Sequence, residues 1–489
     1  MRSKDGPRTF FIFITFAILL AGAIIFFVQA FRSIGVQQDI QYPESAVVFG
    51  VVNLWRGQPL YHDFQRAPFA ITGYTPIFYI LSAAISKLFA HSIHAVYLCS
   101  RIVAFIATLL TAIIAGLIAK QTGGNKTAQS STVLFFLSSS LLLPWGFMAR
   151  VDTLMLFFTV TGIYLFLRFN GSNWQYLSIV AFVLALFTKQ SALAAPAAVF
   201  VELVFERRWR HALLFASGLF VLCVACFLIG NAMTGGLMSV NVLGSLDAPV
   251  RLKSIAEVLW NSLPGLLAGL IFSVAALATT KRSNTKIRLI ALYFVFSVIL
   301  AAVSSAKLGS DRNYYLDALL AVSVLGGIGI GRLANVAEAT LSKAILCACI
   351  VIGAFVPDLY QKYVTATSDY FVSEDNTAIV DELRTVSGDI LTQDANIPLR
   401  LGKPVFVTDS YHLSVLEARH KWQPEPLIEL IEQKRFQKVM LPLDIQSSGR
   451  PPWTIYQGLP IWDPRIVEAI SRNYQLAEIK GSYHIYDRR

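Results

Sequence analysis

The residues best able to do chemistry in this chain are the few charged side chains beside its long apolar runs. Asp39 and Glu44 lie in the polar segment Gln37–Tyr74, which follows the first apolar run and is longer than a simple connection requires. A carboxylate at the level where a membrane meets water can accept a proton from an attacking hydroxyl or amine. The alternative for Asp39 is a solvated charge at a helix end.

A second set of polar side chains lies beside later apolar runs. Its members are Arg150 and Asp152 in WGFMARVDT, Lys189 and Gln190 in FTKQSAL, and Lys307, Asp311, Arg312, Asn313, Tyr314 and Tyr315 in SAKLGSDRNYYLD. Charges at membrane depth are costly, so they usually pair or face an interior cavity. Arginine and lysine at such a place could hold a lipid phosphate. The alternatives are an ion pair between Arg150 and Asp152, and a Lys189 that extends to the interface.

The elements that must position these residues are membrane helices. The chain has 489 residues, of which 55% are hydrophobic and 15% charged, whereas soluble proteins carry about 25% charged residues. The first run, Phe10–Phe31, has no charge and is long enough to span a bilayer. Because Arg2, Lys4 and Arg8 precede it, we expect a retained signal-anchor with a cytoplasmic N-terminus.

The later apolar runs predict 11 to 13 crossings in all, with the run 75–90 as the second. Short basic links predict cytoplasmic loops at 205–211, 281–288 and 332–343. Counting back from them places the loops 233–256 and 305–313 and the tail outside, and counting forward from the N-terminus places Gln37–Tyr74 outside as well. The two counts disagree by one crossing between residues 75 and 168.

The tail has a different composition, polar and mixed in charge. We therefore divide the chain into a transmembrane domain, 1–360, with a first outer loop at 32–74, and a small soluble α/β domain, 361–489. Short strands are predicted at 404–410, 438–444, 474–479 and 482–487. Helices are predicted at 375–387 and 424–436 from their apolar spacing.

Several function classes lack support in the sequence. No Walker pattern, GxGxxG or HExxH is present, so an enzyme here needs an activated substrate from elsewhere, and a lipid-linked donor would suit it. The net charge of +11 is explained by the cytoplasmic links rather than by nucleic acid. The five cysteines lie in or beside apolar runs and predict no disulfide framework. We expect no cofactor and assign no metal ligand, although a divalent metal stays possible.

Several sequence elements together resemble a known family. They are the acid after the first run, followed by RGQPLYHDF, GYTPIFYILSAAISKLF, ARVDTLMLFFTVTGIYLFLR and FTKQSALAAPAAVFVELVFERRWRHAL. Over most of residues 1–360 the chain is similar to the GT-C type membrane glycosyltransferases, in particular bacterial relatives of the dolichyl-phosphate-mannose protein mannosyltransferases and the lipid A aminoarabinose transferases. The resemblance implies a multi-span fold, a polyprenyl-phosphate-sugar donor and a reaction at the outer face.

The resemblance also assigns roles to residues. Asp39 matches the general base that activates the acceptor, with Glu44 in reserve, and attack at the anomeric carbon would displace the lipid phosphate with inversion. The resemblance also matches Arg150 and Asp152 to one family element, Lys189 to a donor-phosphate contact, and Asn313 and Tyr314 to the pocket. Our full prediction is that Arg150, Lys189 and Arg312 contact the donor phosphate, and that the pocket contains Asp152, Gln190, Asn313, Tyr314 and Tyr74. The chain departs from the family at Val151, where proline is common, and in the segment RAPFAITGYTP, which leaves the acceptor open.

The sequence thus predicts an inverting glycosyltransferase of the cell (inner) membrane, with its active site and C-terminal domain on the outer face. Its partners would be membrane lipids, the lipid-phosphate sugar donor and an envelope glycan, lipid or protein as acceptor. Transfer of a non-sugar group or of a whole oligosaccharide is a second enzymatic interpretation. Two interpretations without covalent chemistry remain: a transporter or flippase of lipid-linked substrates, and a scaffold whose tail binds partners.

Overall fold

The protein is described by a computed structural model over residues 6–245, 247–280, 284–368, 372–442, 444–445, 455–456 and 459–489. Two of the predicted basic signals fall outside these ranges. They are Arg2 and Lys4 of the N-terminal segment and the first three residues of the link 281–288.

Apolar helices make up most of the described chain up to residue 367. They are α1 (Gly6–Ser33), α2 (Glu44–Trp55), α3 (Ile77–Phe89), α4 (Ile93–Gln121), α5 (Lys126–Ser138), α6 (Asp152–Arg168), α7 (Leu177–Leu186), α8 (Ala194–Phe205), α9 (Trp209–Met233), α10 (Leu237–Gly244), α11 (Lys253–Ala278), α12 (Thr285–Ser305), α13 (Leu316–Ala337) and α14 (Leu341–Thr367). Among the described residues, seven helices are long and apolar enough to cross a membrane. Side chains of Ser92, Asn125 and Thr340 cap the N-termini of α4, α5 and α14.

The helix bundle has two ends that differ in what covers them. We call the end that carries the first loop and the C-terminal domain the capped end. The pairs that meet at the opposite, uncapped end are Arg8 with Glu338, Arg288 with Glu202, and Arg332 with the carbonyl of Ala276. These pairs bring the N-terminus and the predicted basic links to one end, as a common side of a membrane requires.

The prediction that the run 75–90 crosses the membrane is wrong. This run forms α3, which has 13 residues and spans about 20 Å, less than the hydrocarbon thickness of about 30 Å. The N–H of Ile77 bonds to the carbonyl of Phe187 at the capped end, and α4 also begins there, because Tyr97 in its second turn reaches Asp39. The first loop therefore contains both α2 and α3 and extends to residue 92.

The seven described helices long and apolar enough to cross a membrane are α1, α4, α9, α11, α12, α13 and α14. The shorter helices α5–α8 lie between α4 and α9 in the chain. Helix length by itself therefore supports seven crossings in the described chain, fewer than the predicted 11 to 13. Placing α3 inside the loop removes one crossing between residues 75 and 168. The two counts made from the sequence then agree.

The connection between α5 and α6 is buried although it is mostly not helical. Residues 139–151 contain only the short 3-10 helix Ser140–Leu142, and nearly all of them lack solvent exposure. Such backbone is tolerated at membrane depth only when protein groups satisfy it. Asp358 of α14 accepts the N–H of Ser140, and Lys362 of α14 donates to the carbonyl of Leu137 at 2.7 Å.

The C-terminal domain is α/β, as predicted. Its helices are α15 (Thr377–Leu383), α16 (Asn396–Leu401), α17 (Ser410–Glu417), α18 (Glu425–Glu432) and α19 (Pro464–Asn473), and its strands are β1 (Asp389–Thr392), β2 (Phe436–Leu441), β3 (Ile455–Tyr456), β4 (Leu459–Pro460), β5 (Tyr474–Lys480) and β6 (Tyr483–Arg488). The main sheet has the order β1-β2-β6-β5, with β1 and β2 parallel and the other pairs antiparallel. The predicted fold class, a helical polytopic membrane protein with a small α/β domain, is confirmed.

One predicted strand is wrong, and its actual contacts explain why. The segment 404–410 joins neither sheet; Val407 instead forms a single bridge with Phe69 of the first loop. Its apolar residues 405–407 are buried between the first loop and the domain's own core, where the ring of Phe406 packs on that of Phe436. An apolar run buried in this way looks the same in the sequence as a strand of a sheet. The strand β1, which was not predicted, takes the edge beside β2.

Candidate active site

Asp152 is the centre of a polar cluster at the capped end. The α6 helix begins at this residue, and its carboxylate is fully buried. Its Oδ1 accepts from Lys189 Nζ at 2.7 Å and from Asn313 Nδ2 at 2.8 Å. The Lys189 ammonium also lies 4.7 Å from the ring centre of Tyr314. Three connections far apart in sequence thus converge on one carboxylate.

Arg150 adds a second cation to this cluster. Its Nη2 donates to the Tyr74 hydroxyl at 2.6 Å, and its Nε lies 3.6 Å from Asp152 Oδ2. The guanidinium lies over the rings of Tyr74 and Trp145, at 5.7 and 5.4 Å from their centres. Such stacking holds the planar cation in one orientation. Because residues 139–151 are buried and anchored, Arg150 stands on fixed backbone.

Several polar atoms of the cluster have spare hydrogen-bonding capacity. Among the described residues, Arg150 Nε, Asp152 Oδ2 and Gln190 Oε1 are buried without a hydrogen-bond partner. Arg150 Nε and Asp152 Oδ2 lie 3.6 Å apart as an ion pair that is too long for a hydrogen bond, so all three atoms keep hydrogen-bonding capacity for a further partner. Lys189, Asn313 and Tyr314 of the cluster also line a small cavity of about 20 Å³.

A separate apolar groove lies between α3, α4 and α6. Its volume is about 530 Å³, and its lining includes Ile85, Ile102 and Phe157. The α6 helix connects it to the polar cluster, since the helix starts at Asp152 and its next turns place Leu154 and Phe157 in the groove. A charged group and a long apolar chain could thus be held by one helix.

Asp39 lies outside the cluster, under the C-terminal domain. Its side chain is buried; Oδ2 accepts the N–H of Ser45 at 2.8 Å and Oδ1 accepts the Tyr97 hydroxyl at 3.1 Å. Burial raises the pKa of this carboxyl well above its usual value, and the charges of Asp394 and Glu44 raise it further, against the hydrogen bond from Ser45. Asp39 is therefore a carboxyl whose affinity for a proton is high.

Glu44 is enclosed by donors. Arg101 approaches it at 3.0 Å through Nε and 2.7 Å through Nη2, and the backbone N–H groups of Ile40 and Ala149 donate at 2.8 and 2.7 Å. Both side chains are fully buried. Glu44 thus connects α2 to α4 and to the segment that carries Arg150. We therefore interpret the Glu44–Arg101 pair as a structural ion pair.

The remaining predicted residues divide between these places. Tyr74, Gln190, Asn313 and Tyr314 lie in the cluster, and Gln190 Nε2 donates to the carbonyl of Gly73. Arg312 is adjacent in sequence to Asn313, but its described ion pair is with Asp311 at 4.0 Å. Within the described ranges, no three His, Cys, Asp or Glu side chains come together as metal ligands.

Sequence reasoning missed Arg101, Tyr97 and Trp145. Arg101 had a usable signal, because it is a single charge within the apolar run of α4 and such charges are costly unless paired. Tyr97 and Trp145 had none, since aromatic residues are common in membrane helices and their roles depend on contacts across the chain.

Comparisons with known proteins agree with this architecture. Residues 54–232 match the family model of the dolichyl-phosphate-mannose-protein mannosyltransferases. A search of curated proteins gives no match. Among solved structures, apo ArnT from Cupriavidus metallidurans is similar with a TM-score of 0.62 and 11% identity, over 96% of this chain and 97% of that one.

Two further structures are similar and were solved with ligands. ArnT from Cupriavidus metallidurans bound to undecaprenyl phosphate has a TM-score of 0.60 at 11% identity, over 96% of this chain and 98% of that one. The oligosaccharyltransferase AglB from Archaeoglobus fulgidus, in complex with an inhibitory peptide and a dolichol-phosphate, has a TM-score of 0.56 at 11% identity. The match covers 88% of this chain and 69% of that one. The similarity extends along almost the whole chain, so the resemblance inferred from the sequence is confirmed at the level of the fold.

Proposed function

We propose that this chain belongs to the PMT/ArnT-like GT-C superfamily and transfers a sugar from a polyprenyl-phosphate carrier to an envelope acceptor, on the basis of its fold and the matched segment 54–232. The observation that carries the proposal is the cationic cluster of Arg150 and Lys189 at the start of α6, the helix that continues along an apolar groove. A polyprenyl-phosphate sugar combines a phosphate with a long apolar chain, and these are the two chemistries that α6 joins.

In the proposed complex, Arg150 and Lys189 hold the donor phosphate. Arg150 Nε has an N–H to give, and Lys189 can share its charge between Asp152 and a phosphate oxygen. The polyprenyl chain follows the groove of α3, α4 and α6. In the solved relatives, undecaprenyl phosphate is bound by ArnT and dolichol-phosphate by AglB, which supports a lipid phosphate as the ligand class.

The proposed reaction is a displacement at the anomeric carbon. The acceptor oxygen or nitrogen forms the new bond, and the bond from the anomeric carbon to the phosphate oxygen breaks with its electron pair on the leaving polyprenyl phosphate. The acceptor loses a proton, and we assign it to Asp39, whose raised pKa suits a proton acceptor. Attack opposite the leaving group inverts the configuration. The cations offset the charge that develops on the phosphate.

The phosphate role is tested by Lys189→Gln, with Lys87→Gln on the exposed face of α3 as the matched control. Transfer from a synthetic polyprenyl-phosphate sugar should lose about 10²–10³-fold in kcat/KM in the first variant, because a charged donor to the developing phosphate is removed. The control should keep wild-type activity. Equal activity in both variants would remove Lys189 from the donor site.

The assignment of the base is tested by Asp39→Asn. Loss of a general base lowers kcat by about 10²–10⁴-fold and leaves the donor KM unchanged. Full activity in this variant would exclude Asp39 as the base.

The alternative function, a flippase, is tested with a labelled polyprenyl-phosphate sugar in vesicles that contain the protein. Movement of this lipid across the vesicle membrane without a glycosylated product would favour a flippase over a transferase.

A further inference from the structure

The backbone of Gly73 is surrounded by side chains from three separate parts of the chain. Gln190 Nε2 donates to its carbonyl at 2.8 Å, and the Ser245 hydroxyl donates to the same oxygen at 3.0 Å. His412 comes from the C-terminal domain, and its Cε1 lies 3.8 Å from the place a Cβ would take at Gly73. The transmembrane and C-terminal domains therefore meet at this glycine.

The location of His412 is fixed by its own helix. Asp409 caps α17 by accepting the N–H of His412 at 3.0 Å, and the same carboxylate oxygen accepts the Tyr42 hydroxyl at 3.0 Å. Tyr42 belongs to the first loop, three residues after Asp39. The cap thus orients α17 with its first turn toward the first loop and Gly73.

Two groups around Gly73 have hydrogen-bonding capacity that the described protein does not use. Gln190 Oε1 is buried without a partner. The imidazole of His412 is half-buried and makes no hydrogen bond with any side chain or backbone group of the described ranges. Both groups are uncharged hydrogen-bond partners, since burial lowers the pKa of His412 against the opposing charge of Asp409.

This place adjoins the cationic cluster. Tyr74 follows Gly73 directly, and its hydroxyl accepts from Arg150. A ligand that contacts His412 and Gln190 would therefore lie next to Tyr74, the partner of the proposed phosphate contact Arg150. The two substrates of a transferase must adjoin in this way, because their reacting atoms approach to about 3–3.5 Å.

We propose that His412, Gln190 and Ser245 form the acceptor subsite, and that it takes a neutral, hydroxyl-rich acceptor of the carbohydrate class. The proposal rests on the proposed function. Uncharged donors and acceptors match sugar hydroxyls, whereas an anionic acceptor would need cations at this place. His412 binds and orients the acceptor, and the C-terminal domain thereby takes part in its selection.

The subsite is tested by chemical modification of His412 in the full-length protein in nanodiscs. Diethyl pyrocarbonate modifies accessible neutral imidazoles, and mass spectrometry reads each histidine separately. Octyl β-glucoside at about ten times its Kd should slow modification of His412 about tenfold, by occupancy of the site. Exposed His420 of the same domain should be unaffected. Equal slowing by octyl tetraethylene glycol ether, which lacks a sugar, or no slowing at all, would overturn the proposal.

Two variants complete the test. Gly73→Ala places a methyl group 2.9 Å from the Cβ of Ser245, so it should narrow the subsite and reduce protection by the glucoside. His412→Asn should raise the acceptor KM about tenfold, the loss of one hydrogen bond, with the donor KM unchanged. His420→Asn is the matched control; asparagine tolerates its positive φ of 55°.

The outcomes separate this proposal from the proposed function. Sugar-specific protection of His412 in a protein without transfer activity would support a carbohydrate-binding site at His412 and contradict the transferase. If the protein transfers the sugar but His412→Asn changes neither the acceptor KM nor the ratio of acceptor KM to donor KM, the result would contradict the subsite and leave the transferase standing.

Discussion

Glu44 and Asp39 lie close in one loop, yet the charges around them differ in sign. Glu44 faces the guanidinium of Arg101 and two backbone N–H groups, so its charge is compensated. Asp39 is buried beside two further carboxylates, Asp394 and Glu44, and hydrogen bonds from Ser45 and the charge of Arg101 oppose their effect. The sequence ranked the two as base and reserve by position. The contacts distinguish the two residues physically: Arg101 pairs with Glu44, whereas burial and neighbouring carboxylates raise the pKa of Asp39.

The structural role of Glu44 gives a stability prediction. Glu44→Gln leaves the Arg101 charge buried without its counter-ion and should destabilise the protein by about 3–5 kcal/mol. The measurement is the apparent Tm in nanodiscs, with Asp381→Asn of the exposed pair to Arg384 as control, expected to change stability by less than about 1 kcal/mol. If Glu44→Gln melted like the wild type but lost all transfer activity, Glu44 would return as a catalytic candidate.

At the scale of elements, the site depends on broken backbone held by continuous helices. The segment 139–151 carries Arg150; Asp358 of α14 accepts a backbone N–H of this segment, and Lys362 binds the carbonyl of Leu137 at the end of α5. Asn313 reaches Asp152 from the short 3-10 helix Arg312–Tyr315 that precedes α13, and α13 packs closely on α11. Small residues make that packing possible, as is usual where membrane helices approach each other.

Close packing of α13 on α11 is tested by Gly329→Ala. The added Cβ would overlap the carbonyl oxygen of Phe272 and lie 2.8 Å from its carbonyl carbon, and backbone cannot move aside as a flexible side chain can. We expect a loss of about 1–3 kcal/mol, read as a lower apparent Tm. Gly353→Ala on α14 is the control, because no atom lies within 4 Å of its Cβ position. A neutral result at Gly329 would mean that the two helices separate without cost.

For the whole molecule, the question is how the C-terminal domain is held on the bundle. The first loop makes most of the connections: Ser373 N–H reaches the carbonyl of Asp39, Asn396 reaches that of Gln37, and Phe69 pairs with Val407. Asp39 and Asp394 face each other across this interface, so its stability should depend on protonation.

The sign of that dependence follows from the raised pKa of Asp39. The folded state binds the proton more tightly than the unfolded state, so stability falls as pH rises from the ordinary pKa of about 4 through the raised value. Asp39→Asn removes this loss. Its apparent Tm relative to wild type should therefore be highest near pH 8 and decline toward pH 5. The other groups near Asp39 are Asp394, Glu44, Arg101 and Tyr97.

A control with the opposite sign is available in the same domain. Hydrogen bonds from Thr377 lower the pKa of Asp375, so its contribution is present at neutral pH and is lost as pH falls. Asp375→Asn should thus be less stable than the wild type by a constant amount from about pH 8 down to about pH 4, and this difference should shrink at lower pH. If the Tm difference between Asp39→Asn and wild type did not grow from about pH 5 to about pH 8, the raised pKa of Asp39 would be wrong.

The sequence by itself determined the membrane class, the two-part organisation and most membrane helices, because hydrophobic length and local composition are properties of contiguous residues. It also singled out Arg150, Asp152, Lys189 and Asn313, since a charge or amide beside an apolar run is visible locally. Only the tertiary structure decided that these four meet, that α3 stays in the first loop, and that His412 of a distant domain reaches Gly73. Those facts depend on contacts between residues far apart in the chain, and local periodicity carries no information about such contacts.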